Sequence, residues 1–293
     1  MNARINHYVN IKKKLITLLN EQKQSIISHA VTRGLDPNVR LKASGIEWLG
    51  DIPEHWEIRR LRYVGEVILG LTYKPSDIVD KNEGILVLRS SNVQNGQISL
   101  LDNVYVKTEV PKKIITRKGD ILICSRNGSR ALIGKNAKIS QEVVGETFGA
   151  FMTIFRSEFS DYLHYVFNSQ LFEYQSGSFL TSTINQLTVD NLKNFKIPLP
   201  SSEEQIAIVS YLDDNSNRLD GLIDKANDAV ILLSEYRTSM ISDIVTGKID
   251  VRELGDKLPD QIDENNNNNE IALSSDFALM EEVNISASET DEE

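Results

Sequence analysis

Between Lys107 and Lys138 the chain carries nine bases (Lys107, Lys112, Lys113, Arg117, Lys118, Arg126, Arg130, Lys135 and Lys138) against two acids, Glu109 and Asp120. Within that strip, Ser125-Arg126-Asn127-Gly128-Ser129-Arg130 is a glycine-containing loop between two apolar runs. Arginine and asparagine make the two-point hydrogen bonds that read guanine and adenine edges, and lysine neutralises phosphate. Two other polar loops offer similar groups: Arg89-Ser90-Ser91-Asn92, and Thr181-Ser182-Thr183-Ile184-Asn185-Gln186. The candidate nucleic-acid contacts are therefore Arg89, Asn92, Lys112, Lys113, Arg126, Asn127, Ser129, Arg130, Thr183, Asn185 and Gln186. Taken alone, such loops read equally well as solvated surface.

Catalytic chemistry is thin by comparison. There is no G-x-x-x-x-G-K-[ST] loop and no G-x-G-x-x-G after a strand. His7, His29, His55 and His164 are scattered, with no partners at metal-ligand spacing. Cys124, the single cysteine, excludes an internal disulfide and a multi-cysteine zinc site. It closes an apolar run, where a buried structural thiol is the better reading than a reactive one. The expectation is a non-catalytic protein with no metal and no cofactor. No run of 18 apolar residues exists, so no membrane span is expected. The polar, basic N-terminus lacks an apolar signal core, which favours the cytoplasm.

The net charge of −10 argues at first against a nucleic-acid partner, so its distribution matters. Residues 253–293 hold 13 acids, one base (Lys257) and five consecutive asparagines, Asn265 to Asn269, and read as a disordered acidic tail. Residues 1–252 hold 31 bases and 29 acids. The acidity belongs to the tail.

These candidate contacts need elements to hold them. A first long helix is expected from about Ile5 to Thr32, ending at Arg33-Gly34. Short strands are expected at Gly84–Leu88, Gln97–Leu100, Asp120–Cys124, Leu132–Gly134 and Ala150–Phe155, with a helix over Asp161–Gln175. Ser202 and Gln205 have capping-box spacing for a helix that Asp213–Asn217 would break or bend, and a second long helix runs from about Leu219 to Thr246. The two long helices repeat one phrase at an offset of 214: Leu18–Asp36 and Leu232–Asp250 are identical at nine of 19 positions. Residues 1–45 hold eight bases and two acids, while residues 201–252 hold five bases and ten acids. Complementary charge suits two helices that lie together. The pairing residues expected are Leu15, Leu19 and Ile26 with Leu222, Leu233 and Met240. The fold class expected is α+β: one globular domain flanked by two long helices that pair as an antiparallel coiled coil. Its boundaries are 1–36 (first helix), 37–200 (globular domain), 201–252 (second helix region) and 253–293 (tail).

Three stretches together resemble the DNA-specificity subunits of type I restriction–modification systems. They are Leu18–Asp36 continuing through Gly45-Ile46-Glu47-Trp48-Leu49-Gly50-Asp51-Ile52-Pro53-Glu54-His55-Trp56; Ile197-Pro198-Leu199-Pro200 with Glu203–Val209 and Leu212-Asp213; and Leu232–Asp250. Gly119–Ile123 and Gly149–Phe151 resemble parts of that family's target-recognition domains. The resemblance implies a subunit that reads double-stranded DNA and docks methylation subunits, and through them restriction subunits, with its helices. Members of the family generally carry two recognition domains. One such domain is expected here, so a homodimer or a pairing with another half-subunit would be needed to read a two-part site. The alternative is a truncated coiled-coil assembly protein that binds the methylation subunit without productive DNA reading.

Overall fold

The structure, a computed structural model, describes residues 2–179 and 185–248. Thr183 and the acidic tail lie outside these residues. By its internal contacts the chain divides into two compact units, Met1–Leu233 and Ser234–Glu293. In chain order the first unit holds α1 (Asn2–Arg33), β1 (Leu41–Ala43), β2 (Asp51–Pro53), β3 (Glu57–Arg60), β4 (Glu66–Leu69), β5 (Ile78–Val79) and β6 (Ile85–Leu88). Then come β7 (Val93–Gln94), β8 (Gln97–Ile98), β9 (Tyr105–Val106), β10 (Ile121–Cys124), β11 (Asn136–Lys138), β12 (Thr147–Phe148) and β13 (Met152–Arg156). The helices α2 (Ser160–Phe167), α3 (Gln170–Phe179) and α4 (Val189–Asn194) precede β14 (Lys196–Leu199), and α5 spans Ser202–Val245. The architecture is mixed α and β, as expected.

Two four-stranded sheets carry the domain. One is antiparallel with order β11-β10-β13-β4; the other has order β12-β6-β9-β5, with β12 parallel to β6. Ile121-Leu122-Ile123-Cys124 is wholly buried, because both faces of β10 are covered. Strand alternation sends Ile121, Ile123 and Phe155 into one core with Trp56, Tyr162, Leu163 and Leu212. It sends Leu122, Cys124, Met152 and Ile154 into a second core with Leu86, Leu88 and Phe148. An uninterrupted apolar run is what a strand buried on both faces requires.

The helices attach through the first core. Ile27, Ala30 and Val31 of α1 share it with Ile208 and Leu212 of α5. Helix α1 stops where Gly34 takes φ +77° and its N–H donates to the Ala30 carbonyl at 3.1 Å. A Cβ there would come within 3.3 Å of the Trp56 ring, so the position favours glycine for both conformation and space. Farther out, Lys23 of α1 meets Asp220 of α5 at 2.7 Å. In the second unit, described by itself, α5 runs to Val245, and Gly247 at φ +73° donates to the Ile244 carbonyl at 3.1 Å. Among the described residues no helix is long and apolar enough to cross a membrane.

Four local expectations are corrected. Leu132–Gly134 is no strand: Gly134 at φ +85° leaves the extended region, and Arg130–Leu132 is a 3-10 turn. The helix expected over Asp161–Gln175 is two, α2 and α3, separated at Asn168-Ser169, where the Asn168 amide nitrogen donates to the carbonyls of His164 and Tyr165. Helix α5 runs unbroken through Asp213–Asn217, because Leu212 and Leu219 are both buried, at a seven-residue spacing on one side. Its cap is Ser201 with Glu204, not Ser202 with Gln205. Ser201 Oγ accepts from the Glu204 amide at 3.3 Å, and Glu204 Oε2 accepts from the Ser201 amide at 3.2 Å.

Candidate nucleic-acid interface

The loop after β10, the turn before β13 and the segment before α4 are drawn together by backbone hydrogen bonds. The Leu187 amide donates to the Ser125 carbonyl at 2.7 Å, and Arg126 and Gln186 form an antiparallel bridge. The Ser125 and Arg126 amides both donate to the Phe151 carbonyl at 3.0 Å. Asn127 Nδ2 then reaches Ser90 Oγ at 3.2 Å, and Asn185 Nδ2 reaches the Gly128 carbonyl at 3.0 Å. Residues from all three polar loops therefore meet around Arg126. The Arg126 guanidinium lies 5.1 Å over the Phe151 ring, and Phe151 is 58% exposed. A cation held over an aromatic face is attracted to it without using up its N–H donors.

The other candidates have distinct surroundings. Ser129 is exposed, with its amide donating to Asn127 Oδ1 at 2.9 Å, which shapes the tip of the loop. Arg130 is exposed and reaches the Gly177 carbonyl at the end of α3, 3.3 Å away. Lys112 and Lys113 sit on a 3-10 turn at Lys112–Ile114, away from the Arg126 cluster in the hydrogen-bond network, and Lys113 pairs with Glu66 of β4. That hydrogen bond holds the Glu66 carboxyl below the usual carboxylate range. Arg89 is tied to Asp102 at 2.9 Å.

Asn92 is a correction. It is fully buried; its Oδ1 accepts from the Arg89 amide at 2.9 Å and its Nδ2 donates to Ser99 and Asp102 carbonyls and to Asn103 Oδ1. It is the hydrogen-bond hub of its loop, with nothing left for a base edge. Phe151 joins the site without being among the sequence candidates. Its sequence signal was the Gly149-Ala150 turn at the head of an apolar run, where alternation turns Met152 and Ile154 inward and leaves Phe151 outside.

Two structural nodes brace the domain away from this loop cluster. Asp120, 2% exposed, takes the Arg156 guanidinium in a two-point contact at 2.8 and 2.7 Å and also accepts from the Arg117 amide at 2.8 Å. The Arg156 pKa is raised by that hydrogen bond. The pair clamps β10 to β13 at the strand end opposite the Arg126 loop, where Ile121 faces Phe155. Glu204, at the start of α5, accepts from Trp56 Nε1 at 3.2 Å and meets His55 Nε2 at 2.8 Å. Burial pushes its carboxyl up, but the His55, Trp56 and Ser201 hydrogen bonds outweigh this and hold it below the usual range. Burial pushes the Cys124 thiol up, which suits packing rather than reactivity. Among the described residues no group of three or more metal-ligating side chains is assembled.

Along the helices, Leu19 is buried, and Leu15, Ile26 and Leu233 are half-buried. Leu222 is 44% exposed, a second correction: α5 turns Ile223 inward, four residues after Leu219 as Leu212 is four after Ile208. Met240 belongs to the second unit, where it is half-buried.

The fold is similar to that of solved type I restriction–modification chains. The structure aligns at a TM-score of 0.63 and 18% identity with a chain from a study of complex assembly and conformational transition of the type I R-M system, covering 82% of this chain and 55% of that one. It aligns at 0.54 and 17% identity with the HsdS subunit from Thermoanaerobacter tengcongensis, covering 82% and 54%. Residues 53–230 match the family model described as the type I restriction modification DNA specificity domain, and the chain belongs to that family. It is 28% identical over 212 residues to the type I restriction enzyme EcoKI specificity subunit of Escherichia coli (strain K12), covering 68% of this chain and 44% of the relative. It is 28% identical over 256 residues to the MjaVIII specificity subunit of Methanocaldococcus jannaschii, covering 82% and 56%. The chain spans about half the length of these relatives.

Proposed function

We propose that this chain is a non-catalytic DNA-recognition subunit of a type I restriction–modification complex in the cytoplasm, reading one half of a two-part site. The observation that carries the reading is the convergence of three polar loops on Arg126, with its guanidinium laid on exposed Phe151. In this reading Arg126, Asn127, Ser129, Arg130, Asn185 and Gln186 face the base edges, and Lys112 and Lys113 contact phosphate. Arg89, held by Asp102, supports the loop from behind. Residues 37–200 form the recognition domain, and 1–36 and 201–252 the helical parts.

The helices α1 and α5 pair antiparallel as a coiled coil and dock the methylation subunits. What supports this is that α1 ends and α5 begins in the same core, with Lys23 and Asp220 in contact farther out. A second copy, or another half-subunit, supplies the reader of the other half-site, since two-fold protein symmetry is mirrored in a palindromic site. A gel-shift on a random-sequence duplex pool, with and without the methylation subunit, tests the reading. Retention of a reproducible subset of sequences supports it. Recovery of the methylation subunit with no duplex bound would leave only an assembly role.

A further inference from the structure

The surface around Lys113 is larger than the strip that contains it. Glu66, the partner of Lys113, is also close enough to Lys193 of α4 for that charge to act on its carboxyl. Beside Lys193 stands Asn194, whose Oδ1 accepts from both Arg60 Nη1, at 3.1 Å, and Arg62 Nη2. Directly across the β3–β14 ribbon from Arg60 is Lys196. All of these side chains except half-buried Asn194 are exposed.

Two features leave the positive charge of this group uncompensated among the described residues. Like charges directly opposite on antiparallel strands repel, and facing Cβ atoms there lie about 5 Å apart. Two guanidinium groups share one neutral carbonyl oxygen, where a carboxylate would bind either more strongly. Among the described residues, none of Arg60, Arg62, Lys193 and Lys196 has an acid within ion-pair distance. Contrast Arg59, one residue earlier, which pairs with Glu57 at 2.6 Å. Charge is neutralised on one side of the ribbon and left open on the other.

We infer that Arg60, Arg62, Lys193 and Lys196 form, with Lys112 and Lys113, one continuous phosphate-binding face that holds the duplex backbone outside the base-reading loops. This rests on the DNA-recognition reading and deepens it. A backbone phosphate between Arg60 and Lys196 turns their mutual repulsion into shared attraction, and arginine forks match phosphate oxygens in two-point geometry. The face carries no base-reading chemistry, so it contributes affinity and register to every sequence alike.

The test measures binding of the full chain, with its methylation subunit, to a 30-base-pair random-sequence duplex across a salt series. Two variants are compared with the wild type: Arg60→Gln with Lys196→Gln, and Lys193→Glu. Each phosphate contact adds about 0.9 to the slope of log affinity against log salt. The double variant should make that slope shallower by about 1–2 and weaken all sequences equally, and Lys193→Glu should also weaken binding. The double variant should unfold at a temperature no lower than the wild type, since it removes a like-charge pair. An unchanged slope, with the wild type binding DNA normally, would overturn the inference while leaving the recognition reading intact. Loss of the methylation subunit at unchanged slope would overturn it in favour of an acidic protein partner. Failure of the wild type to bind any duplex would sink the recognition reading itself.

Discussion

Trp56 and Glu204, 148 positions apart, are joined by an indole N–H that donates to the carboxylate at 3.2 Å. The same carboxylate caps α5 through the Ser201 amide and meets His55. One side chain therefore fixes where the second long helix starts and how the domain sits on it. Trp56 is fully buried in the first core. Trp56→Phe should cost about 1–3 kcal/mol, from a smaller ring and a lost hydrogen bond, and Trp56→Ala about 3–5 kcal/mol. Urea unfolding of both variants checks this, and equal loss in the two would show that the indole N–H matters more than the packing.

Asp120 and Arg156 clamp β10 to β13 at the strand end opposite the Arg126 loop. Asp120→Ala leaves a largely buried guanidinium without its carboxylate and should cost about 3–5 kcal/mol. Replacing both residues together with leucine should cost clearly less than the single change. Chemical denaturation of the single and double variants decides; additive losses would mean that the pair is not coupled.

His164 is mostly enclosed, and burial lowers its pKa to about 4, helped by Lys138 and opposed by Asp213 and Asp161. The folded chain therefore refuses a proton that the unfolded chain accepts below about pH 6.5. Stability from this group is lost as pH falls from about 6.5 towards 4, at up to about 1.4 kcal/mol per pH unit. The unfolding free energy of His164→Gln, measured at pH 7, 5.5 and 4.5, should fall less steeply than that of the wild type. Parallel curves would refute this.

Much of this fold is legible in the sequence, and the misses have physical reasons. The Gly34 stop and the Ile121–Cys124 strand are local signals, and both stand. The cap lies one residue before the expected position because Ser201 and Ser202 each have an acceptor-bearing residue three positions on; the choice is made by Trp56 and His55, far away in sequence. The polar patch Asp213–Asn217 reads as a breaker, yet burial of Leu212 and Leu219 on either side carries the helix through it. Asn92 looks like a base reader because nothing local shows that four loop groups consume its amide. Arg60, Arg62, Lys193 and Lys196 come from two distant stretches and become one surface only when β3 and β14 pair.

Lys23 and Asp220 lie part-buried between the two long helices. An ion pair of this exposure is worth about 0–1 kcal/mol. Its value is orientation: Lys23→Asp should destabilise the helix pair, and adding Asp220→Lys should recover most of the loss. A double-mutant cycle read by thermal unfolding tests the antiparallel arrangement, and no recovery in the exchanged pair would argue against it.

The most direct test of DNA reading is selection from a randomised duplex pool by the full chain with its methylation subunit, repeated with Arg126→Ala and with Phe151→Ala. The wild type should enrich one half-site sequence. Arg126→Ala should relax preference at one or two positions, each by about 1–3 kcal/mol, while overall affinity falls far less than in the phosphate-face variants. Phe151→Ala should relax the same positions more weakly, by freeing the guanidinium that it supports. Enrichment of no sequence by the wild type, or an identical sequence preference in all three proteins, would contradict the account.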